Sequence, residues 1–382
     1  MSTRDFLSKP YTVRLEKLLS NGCALAHADG MAVFVPFGIP GEEVKIEITE
    51  SKKGYLIGRI TGISDSSPDR IVPKCRLFGK CGGCTLQHID YSRQLELKKE
   101  MLTEALVRTG HLKNEQIPKI RTFASSPFGY RQRIQLHPAG NHEVGYMSAS
   151  SHDVLPVAEC PVCCPGINKM LEEKKPDLTE RTVFYSPDGT TVQSSYFTGK
   201  KEFTFKMRDK TIAANPLCFF QSNGELYHKV VEELIANIPA GDTYIDFYSG
   251  IALPGLFMAD RFNTLYFVEE NPVSAGFGIK NIQGLGNCRF FNMKAEDWIK
   301  SPRGKVNADT VFLDPPRTGL ADSVCDYLLK KKPGNIFYLS CNFTTLARDL
   351  GKLASSYKIK MIDMFDFYPQ TADLECLVML VK

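Results

Sequence analysis

Three cysteines stand within ten residues, as Cys75-x5-Cys81-Gly-Gly-Cys84. The paired glycines let such a loop fold tightly round an ion or a cluster. A fourth thiol must come from elsewhere, and Cys160-Pro-Val-Cys163-Cys164 is the other cysteine cluster. Zinc, the competing metal, usually takes two short paired knuckles. Three ligands from one loop and one from a distant segment lean instead towards an iron–sulfur group. A second constellation lies in the C-terminal half. Asp314-Pro-Pro-Arg317 ends one apolar run, Ser340-Cys341-Asn342 ends the next, and Glu375 follows near the C-terminus. A cysteine at the carboxyl end of a strand is a nucleophile where its thiolate is stabilised, and otherwise a small buried hydrophobe. A third constellation begins at Thr243-Tyr-Ile-Asp246-Phe-Tyr248, which runs into Ser249-Gly250, with Glu269 19 residues past that glycine. An acid so placed accepts hydrogen bonds from ribose hydroxyls. Gly250-Ile-Ala-Leu-Pro-Gly lacks the second glycine that a dinucleotide fingerprint needs, which leaves S-adenosylmethionine as the better cofactor.

These residues need elements to hold them. Residues 12–63 read as all-β, with alternating runs at Ala32–Pro36, Glu43–Ile48 and Gly54–Ile60 and glycine turns between them. Short strands with regular turns suggest a small barrel. Residues 64–69 read as a linker. Tyr91 to Thr109 reads as a helix, with Leu95, Met101, Leu102 and Leu106 on one face, Arg93, Lys98, Lys99 and Glu100 outside, and Gly110 as its stop. Residues 120–213 mix strands and turns, including 131–136 and Thr191–Phe197. From Leu217 onward, compact apolar runs at 243–247, 264–268, 310–313 and 335–339 alternate with helical segments. That is the pattern of a doubly wound parallel sheet, whose ligands lie outside the carboxyl ends of the strands.

The 382 residues are 43% hydrophobic and 24% charged, a globular composition that excludes a disordered or collagen-like chain. Two or three domains are expected. No run is apolar enough for a membrane span, and the first residues lack the apolar core of a signal peptide. A cytoplasmic monomer is expected. The net charge of +4 is unevenly spread, because residues 74–133 carry twelve basic and five acidic side chains. Such a segment suits a phosphate backbone as partner and equally a solvated surface.

Taken together the motifs resemble the RNA (uracil-C5)-methyltransferase family, and within it the bacterial 23S ribosomal RNA enzymes with a TRAM domain and an iron–sulfur cluster. The resemblance rests on Val35-Pro-Phe-Gly-Ile-Pro-Gly-Glu42, Ser67-Pro-Asp-Arg70, Cys75-x5-Cys-Gly-Gly-Cys-Thr-Leu-Gln-His88, Phe220-Gln221-Ser-Asn223, Asp246-Phe-Tyr-Ser-Gly250, Asp314-Pro-Pro-Arg-Thr-Gly319 and Tyr338-Leu-Ser-Cys-Asn342. It covers nearly the whole chain. It implies an α/β fold with a Rossmann-like class I methyltransferase domain (91–119 and 214–382), an N-terminal OB-like TRAM β-barrel (1–65) and a central iron–sulfur-bearing α+β domain (66–90 and 120–213).

The resemblance also implies roles. A 4Fe-4S cluster would sit on Cys75, Cys81, Cys84 and Cys160, with Cys163 or Cys164 able to compete for the last place. Gln221, Tyr248, Glu269 and Asp314 match cofactor-binding positions for S-adenosylmethionine. Cys341 would add to C6 of uracil, and Glu375 would remove the C5 proton. The partner would be RNA, ribosomal RNA favoured, with a transfer-RNA T-loop uridine as the alternative. Four departures stand out: Ala252 for a glycine, Leu253 for a polar residue, Lys294 for Asp or Asn, and Asp373 for His. The first three are expected to touch the cofactor pocket. They give some weight to a decayed relative that only binds RNA. A dinucleotide-dependent iron–sulfur oxidoreductase is the other alternative.

Overall fold

The computed structural model describes residues 9–139, 143–149, 151, 153–173, 178, 180–195 and 202–382. The N-terminal strands are β1 (Pro10–Arg14), β2 (Lys17–Leu18), β3 (Cys23–Ala28), β4 (Met31–Pro36), β5 (Glu43–Lys52) and β6 (Tyr55–Asp65). They form one sheet in the order β1-β5-β6-β4-β3-β2. Alternation builds it: Val44, Ile46 and Ile48 are buried while Lys45 and Glu47 face water. β1 also lies against β3, so the sheet curls round Ala24, Val33, Val35 and Leu56.

Helix α1 (Tyr91–Arg108) follows the cysteine loop, and Asp90 caps it by accepting from the Ser92 N–H. Its buried stripe is Gln94, Leu97, Lys98, Met101, Leu102, Ala105 and Leu106. Lys98, expected on the outer face, is therefore fully buried. Its ammonium is satisfied there by the Asp366 carboxylate at 2.5 Å and by the carbonyls of Asp373 (2.8 Å) and Tyr368 (3.1 Å). Side-chain type alone cannot foresee such a cradle. The short strand β7 (Arg121–Phe123) comes next.

The central segment has β8 (Arg133–Pro138), β9 (Val144–Met147), β10 (Val154–Pro156), helix α2 (Pro165–Glu173), β11 (Thr182–Tyr185) and β12 (Val192–Ser195). Its five strands run in the order β10-β9-β8-β11-β12 and pack Ile134, Leu136 and Phe184 against Ile167 and Leu171 of α2. The strand expected over Thr191–Phe197 is β12, and Tyr196 and Phe197 lie outside the described residues. A hairpin of β13 (Phe203–Met207) and β14 (Lys210–Ala214) leads to helix α3 (Gly224–Asn237).

The remainder alternates strands and helices: β15 (Gly241–Phe247), α4 (Leu253–Leu256), β16 (Phe262–Glu269), α5 (Pro272–Asn281), β17 (Cys288–Asn292), α6 (Ala295–Lys300), β18 (Thr310–Leu313), α7 (Asp322–Lys331), β19 (Asn335–Ser340), α8 (Phe343–Leu353), β20 (Lys358–Phe365) and β21 (Glu375–Val381). One eight-stranded sheet runs β17-β16-β15-β18-β19-β21-β20-β7. Its first five strands are parallel and β21 is antiparallel to β19. The central parallel strands β15, β18 and β19 are buried on both faces, as their apolar runs require. Residues 121–123, grouped by sequence with the central segment, instead pair with β20 at the edge of this sheet. α1 packs on α8 beneath the same sheet. Among the described residues no helix is long and apolar enough to cross a membrane.

Candidate active site

The carboxyl ends of β15, β16, β18 and β19 open into a cavity of about 790 Å³. Gln221, Tyr248, Glu269, Asp314, Cys341 and Glu375, all singled out by sequence, line it together. β19 and β21 bring the last two side by side. Ser340 pairs with Cys376 in antiparallel register, so the next step of the ladder places Cys341 opposite Glu375.

The loop that supplies Glu375 is fixed from behind. The Gln94 amide donates to Gln370 Oε1 (3.0 Å) and to the carbonyls of Leu86 (3.1 Å) and Ile89 (2.8 Å), and its oxygen accepts from the Gln370 N–H (3.0 Å). The Gln370 carbonyl accepts from the N–H groups of Thr85 and Leu86. α1 thus ties the end of the cysteine loop to the segment before Glu375.

The turn after β15 is strained. Tyr248 (φ 64°), Gly250 (φ 54°) and Ala252 (φ 67°) are all left-handed. Ala252 stands where a glycine would be free of the Cβ penalty. Glu269 steadies the turn: its carboxylate accepts from the Gly250 N–H (2.9 Å) and from the Asn271 N–H (2.7 Å). Leu253 lines the cavity, as expected of that departure, but Ala252, buried in the core behind the turn, and Lys294 do not. Lys294 is exposed at the N-cap of α6, so this substitution leaves the cofactor pocket untouched. Asp373 is also in the cavity wall and pairs with Arg317 at 3.0 Å.

Sequence reasoning passed over Asp246 as a site residue. It is fully buried, and both its oxygens lack a hydrogen-bond partner, as do Gln221 Oε1, Ser249 Oγ and both oxygens of Glu375. An acid inside an otherwise apolar strand was the available signal. Unsatisfied buried polar atoms that gather round one cavity anticipate a polar ligand. Their excess of carboxylates suits a cationic one, such as a sulfonium with an amino group.

Electrostatics agree with that reading. Burial, then the Glu269 charge, pushes the Asp314 carboxyl up to about 7. Asp246 and Glu375 are held well above the usual carboxylate range, first by burial and then by Asp314 and other neighbouring acids. The Cys341 thiol is pushed up to about 12 by burial and by Glu375 and Asp314, against the opposing pull of Arg317. In the free protein both shifts disfavour the charged forms of the thiol and of Glu375.

Cys75, Cys81, Cys84 and Cys160 line a second cavity, of about 480 Å³. Gln87 orients its loop by accepting from the Cys75 N–H at 3.0 Å. Cys163 and Cys164, the possible competitors for the fourth place, are buried in the central core and do not line the cavity. Among the described residues no three His, Cys, Asp or Glu side chains converge closely enough to hold a single metal ion. Four soft thiols lining one cavity are a donor set that suits zinc or an iron–sulfur group in kind.

Residues 199–382 match the tRNA (uracil-5-)-methyltransferase family profile, and residues 8–61 match the TRAM domain. A Treponema denticola protein that carries the name uncharacterized RNA methyltransferase is 30% identical, over 93% of this chain and 95% of its own. An Aquifex aeolicus protein of the same name is 29% identical, over 97% and 98%. The crystal structure of Pyrococcus abyssi tRNA (uracil-54, C5)-methyltransferase in complex with S-adenosyl-L-homocysteine shares the fold. Its TM-score is 0.74 at 23% identity, covering 97% of this chain and all of that one.

Proposed function

The chain belongs to the tRNA (uracil-5-)-methyltransferase family, RNA methyltransferases that draw on S-adenosylmethionine, and on that premise we propose that it methylates C5 of an unstacked uridine in ribosomal RNA through a covalent adduct. The observation that supports this reading best is the junction of β19 and β21, which sets Cys341 beside Glu375 in a cavity rich in unpaired acids.

C5 of uracil is a weak nucleophile, and covalent addition activates it. Cys341 gives up its thiol proton to solvent, a bond forms from its Sγ to C6, and the C5=C6 electrons move to the O4 enolate. C5 then bonds to the methyl carbon as the carbon–sulfonium bond breaks and a neutral thioether leaves. Glu375 takes the C5 proton, C5=C6 re-forms and Cys341 is expelled. Arg317 favours the thiolate, and Asp314, Gln221, Tyr248 and Glu269 hold donor and base. Glu375 must be ionised to act as base, and a positive donor in the same cavity lowers its pKa towards that state. The target base must leave its stack to reach this depth, so a loop or single-stranded uridine is expected.

Cys75, Cys81, Cys84 and Cys160 would hold a 4Fe-4S cluster, which when bound would brace the loop against RNA and take no part in a transfer that moves no net electrons. The P. abyssi neighbour acts on transfer RNA. That likeness supports a second reading, a T-loop uridine as substrate.

The deciding assay is tritium release from unmodified ribosomal and transfer RNA labelled at uracil C5, with S-adenosylmethionine added. Release is expected from ribosomal RNA, and Cys341→Ala should abolish it while leaving the fold intact. Release from transfer RNA alone would move the substrate to the second reading. Release that survives Cys341→Ala would overturn the mechanism.

A further inference from the structure

The catalytic cavity and the thiol-lined cavity share a wall: Gly82, Gly83 and Arg131 line both. Arg131 is mounted rigidly. Its N–H donates to the Val162 carbonyl (2.8 Å) and its carbonyl accepts from the Cys164 N–H (2.9 Å), which ties it to the Cys160 segment. The next residue, Gln132, donates from its N–H to the Ser222 carbonyl (2.8 Å), one residue past Gln221. A Cβ on Gly224 would lie 2.3 Å from Gln132 Oε1, so this strut has no slack.

The guanidinium on the strut has no carboxylate at ion-pair distance among the described residues. Its one hydrogen bond runs from Nε to the Arg133 carbonyl at 3.3 Å. The other cavity-lining arginine for which an ion pair is seen, Arg317, has Asp373. Arg131 is half-buried, and a partly desolvated cation without a counter-ion is left uncompensated. Such a charge is stable when an anion arrives to meet it. The catalytic cavity itself is acidic, which suits a cationic donor and opposes a polyanionic substrate. Entry of a nucleotide therefore needs a cation in the wall, and the bare backbone of Gly82 and Gly83 beside Arg131 lets an oxyanion come close.

We infer that Arg131 is a phosphodiester site, binding the backbone phosphate next to the uridine that enters the catalytic cavity. The inference rests on the RNA reading above. Arg131 then reports on both cavities, because the segment that carries Cys160 also holds its backbone in place.

The test uses the full-length, metal-loaded protein with in vitro transcribed ribosomal RNA and, separately, transfer RNA. RNA affinity is measured by filter binding between 50 and 300 mM KCl, S-adenosyl-L-homocysteine affinity by calorimetry, and iron content with visible absorption. Arg131→Met should weaken RNA binding about tenfold or more and flatten the salt dependence by about 0.7, one single-strand phosphate. The S-adenosyl-L-homocysteine affinity should not change, and Arg131→Lys should keep the wild-type slope. An unchanged slope in Arg131→Met would overturn the assignment. So would a loss that appears only with iron loss and equals that of Cys75→Ser, since Arg131 would then serve the thiol side alone. Wild-type protein that neither binds nor methylates either RNA would instead sink the RNA reading itself, a result distinct from a failed Arg131 variant.

Discussion

At the scale of single residues the cavity is defined by acids whose charged forms are disfavoured. Asp314, Asp246 and Glu375 are all raised, chiefly by burial. A cationic donor binds their ionised forms better, so it must displace protons. Donor affinity should therefore rise with pH through the Asp314 value of about 7, with net proton release on binding. Calorimetry in buffers of different ionisation enthalpy measures this directly, and donor binding that is independent of pH from 6 to 8 would contradict it. The same shifts act on stability. Asp314 binds its proton more tightly when folded, so its contribution is full below the unfolded pKa of about 4 and fades as pH rises through about 7. Glu375→Gln keeps the shape and removes the base. If Glu375 takes the C5 proton, this variant should accumulate the protein–RNA adduct on denaturing gels while tritium release drops at least a hundredfold. Full turnover by Glu375→Gln would assign the base elsewhere.

At the scale of elements, α1 positions the catalytic loop although it precedes that loop by more than 250 residues in sequence, as the Gln94–Gln370 bonds show. The fully buried Lys98–Asp366 pair is the anchor. Removing one partner strands the other charge, so Lys98→Met should cost about 3–5 kcal/mol in thermal or denaturant unfolding. Lys98→Met with Asp366→Leu should recover most of that stability, because an apolar pair of similar volume carries no stranded charge. Methyl transfer should stay depressed in the double variant, since the Tyr368 and Asp373 carbonyls would have lost their donor. A double variant as unstable as the single one would show that the pair contributes through packing.

At the scale of the whole molecule, the N-terminal sheet meets the rest at a polar joint, and Leu18 and Ile39 pack into the core of the large sheet. Glu42 is fully buried and grips Arg70 with both oxygens, each at 2.6 Å, while also accepting from the N–H groups of Ile39 and Ser67. Burial pushes its carboxyl up, and Arg70 with the two amides more than offsets this, leaving it below the usual range. Phe37, Phe78 and His88 pack beside the joint, and Lys17 of β2 pairs with Glu104 of α1. Glu42→Gln leaves Arg70 without its counter-ion and should loosen the N-terminal sheet. The expected result is weaker RNA binding with donor affinity unchanged, read by filter binding and calorimetry. RNA affinity equal to wild type would mean that the orientation of this sheet does not matter to the substrate.

The chain's own sequence determined the large sheet and most of the candidate site. Apolar runs at 243–247, 310–313 and 335–339 have nowhere to go but the middle of a parallel sheet, and that fold delivers their carboxyl ends, with Asp314 and Cys341, to one rim. Three cysteines in one short loop likewise face a common space whatever surrounds them. Tertiary structure decided the rest, because it turns on contacts between residues far apart in the chain. Lys98 reads as a surface lysine until Asp366 and two carbonyls form its cradle. Cys160, and not Cys163 or Cys164, reaches the thiol cavity because α2 and the central strands bury the other two. Lys294 looked like a change in the cofactor pocket and proved to be an exposed helix cap. Arg131 carried no signal beyond its charge; only tertiary packing set it between two cavities, with no carboxylate at ion-pair distance among the described residues. Local pattern sets which elements form, while burial and long-range pairing set which polar groups within them stand unpaired and ready to meet a ligand.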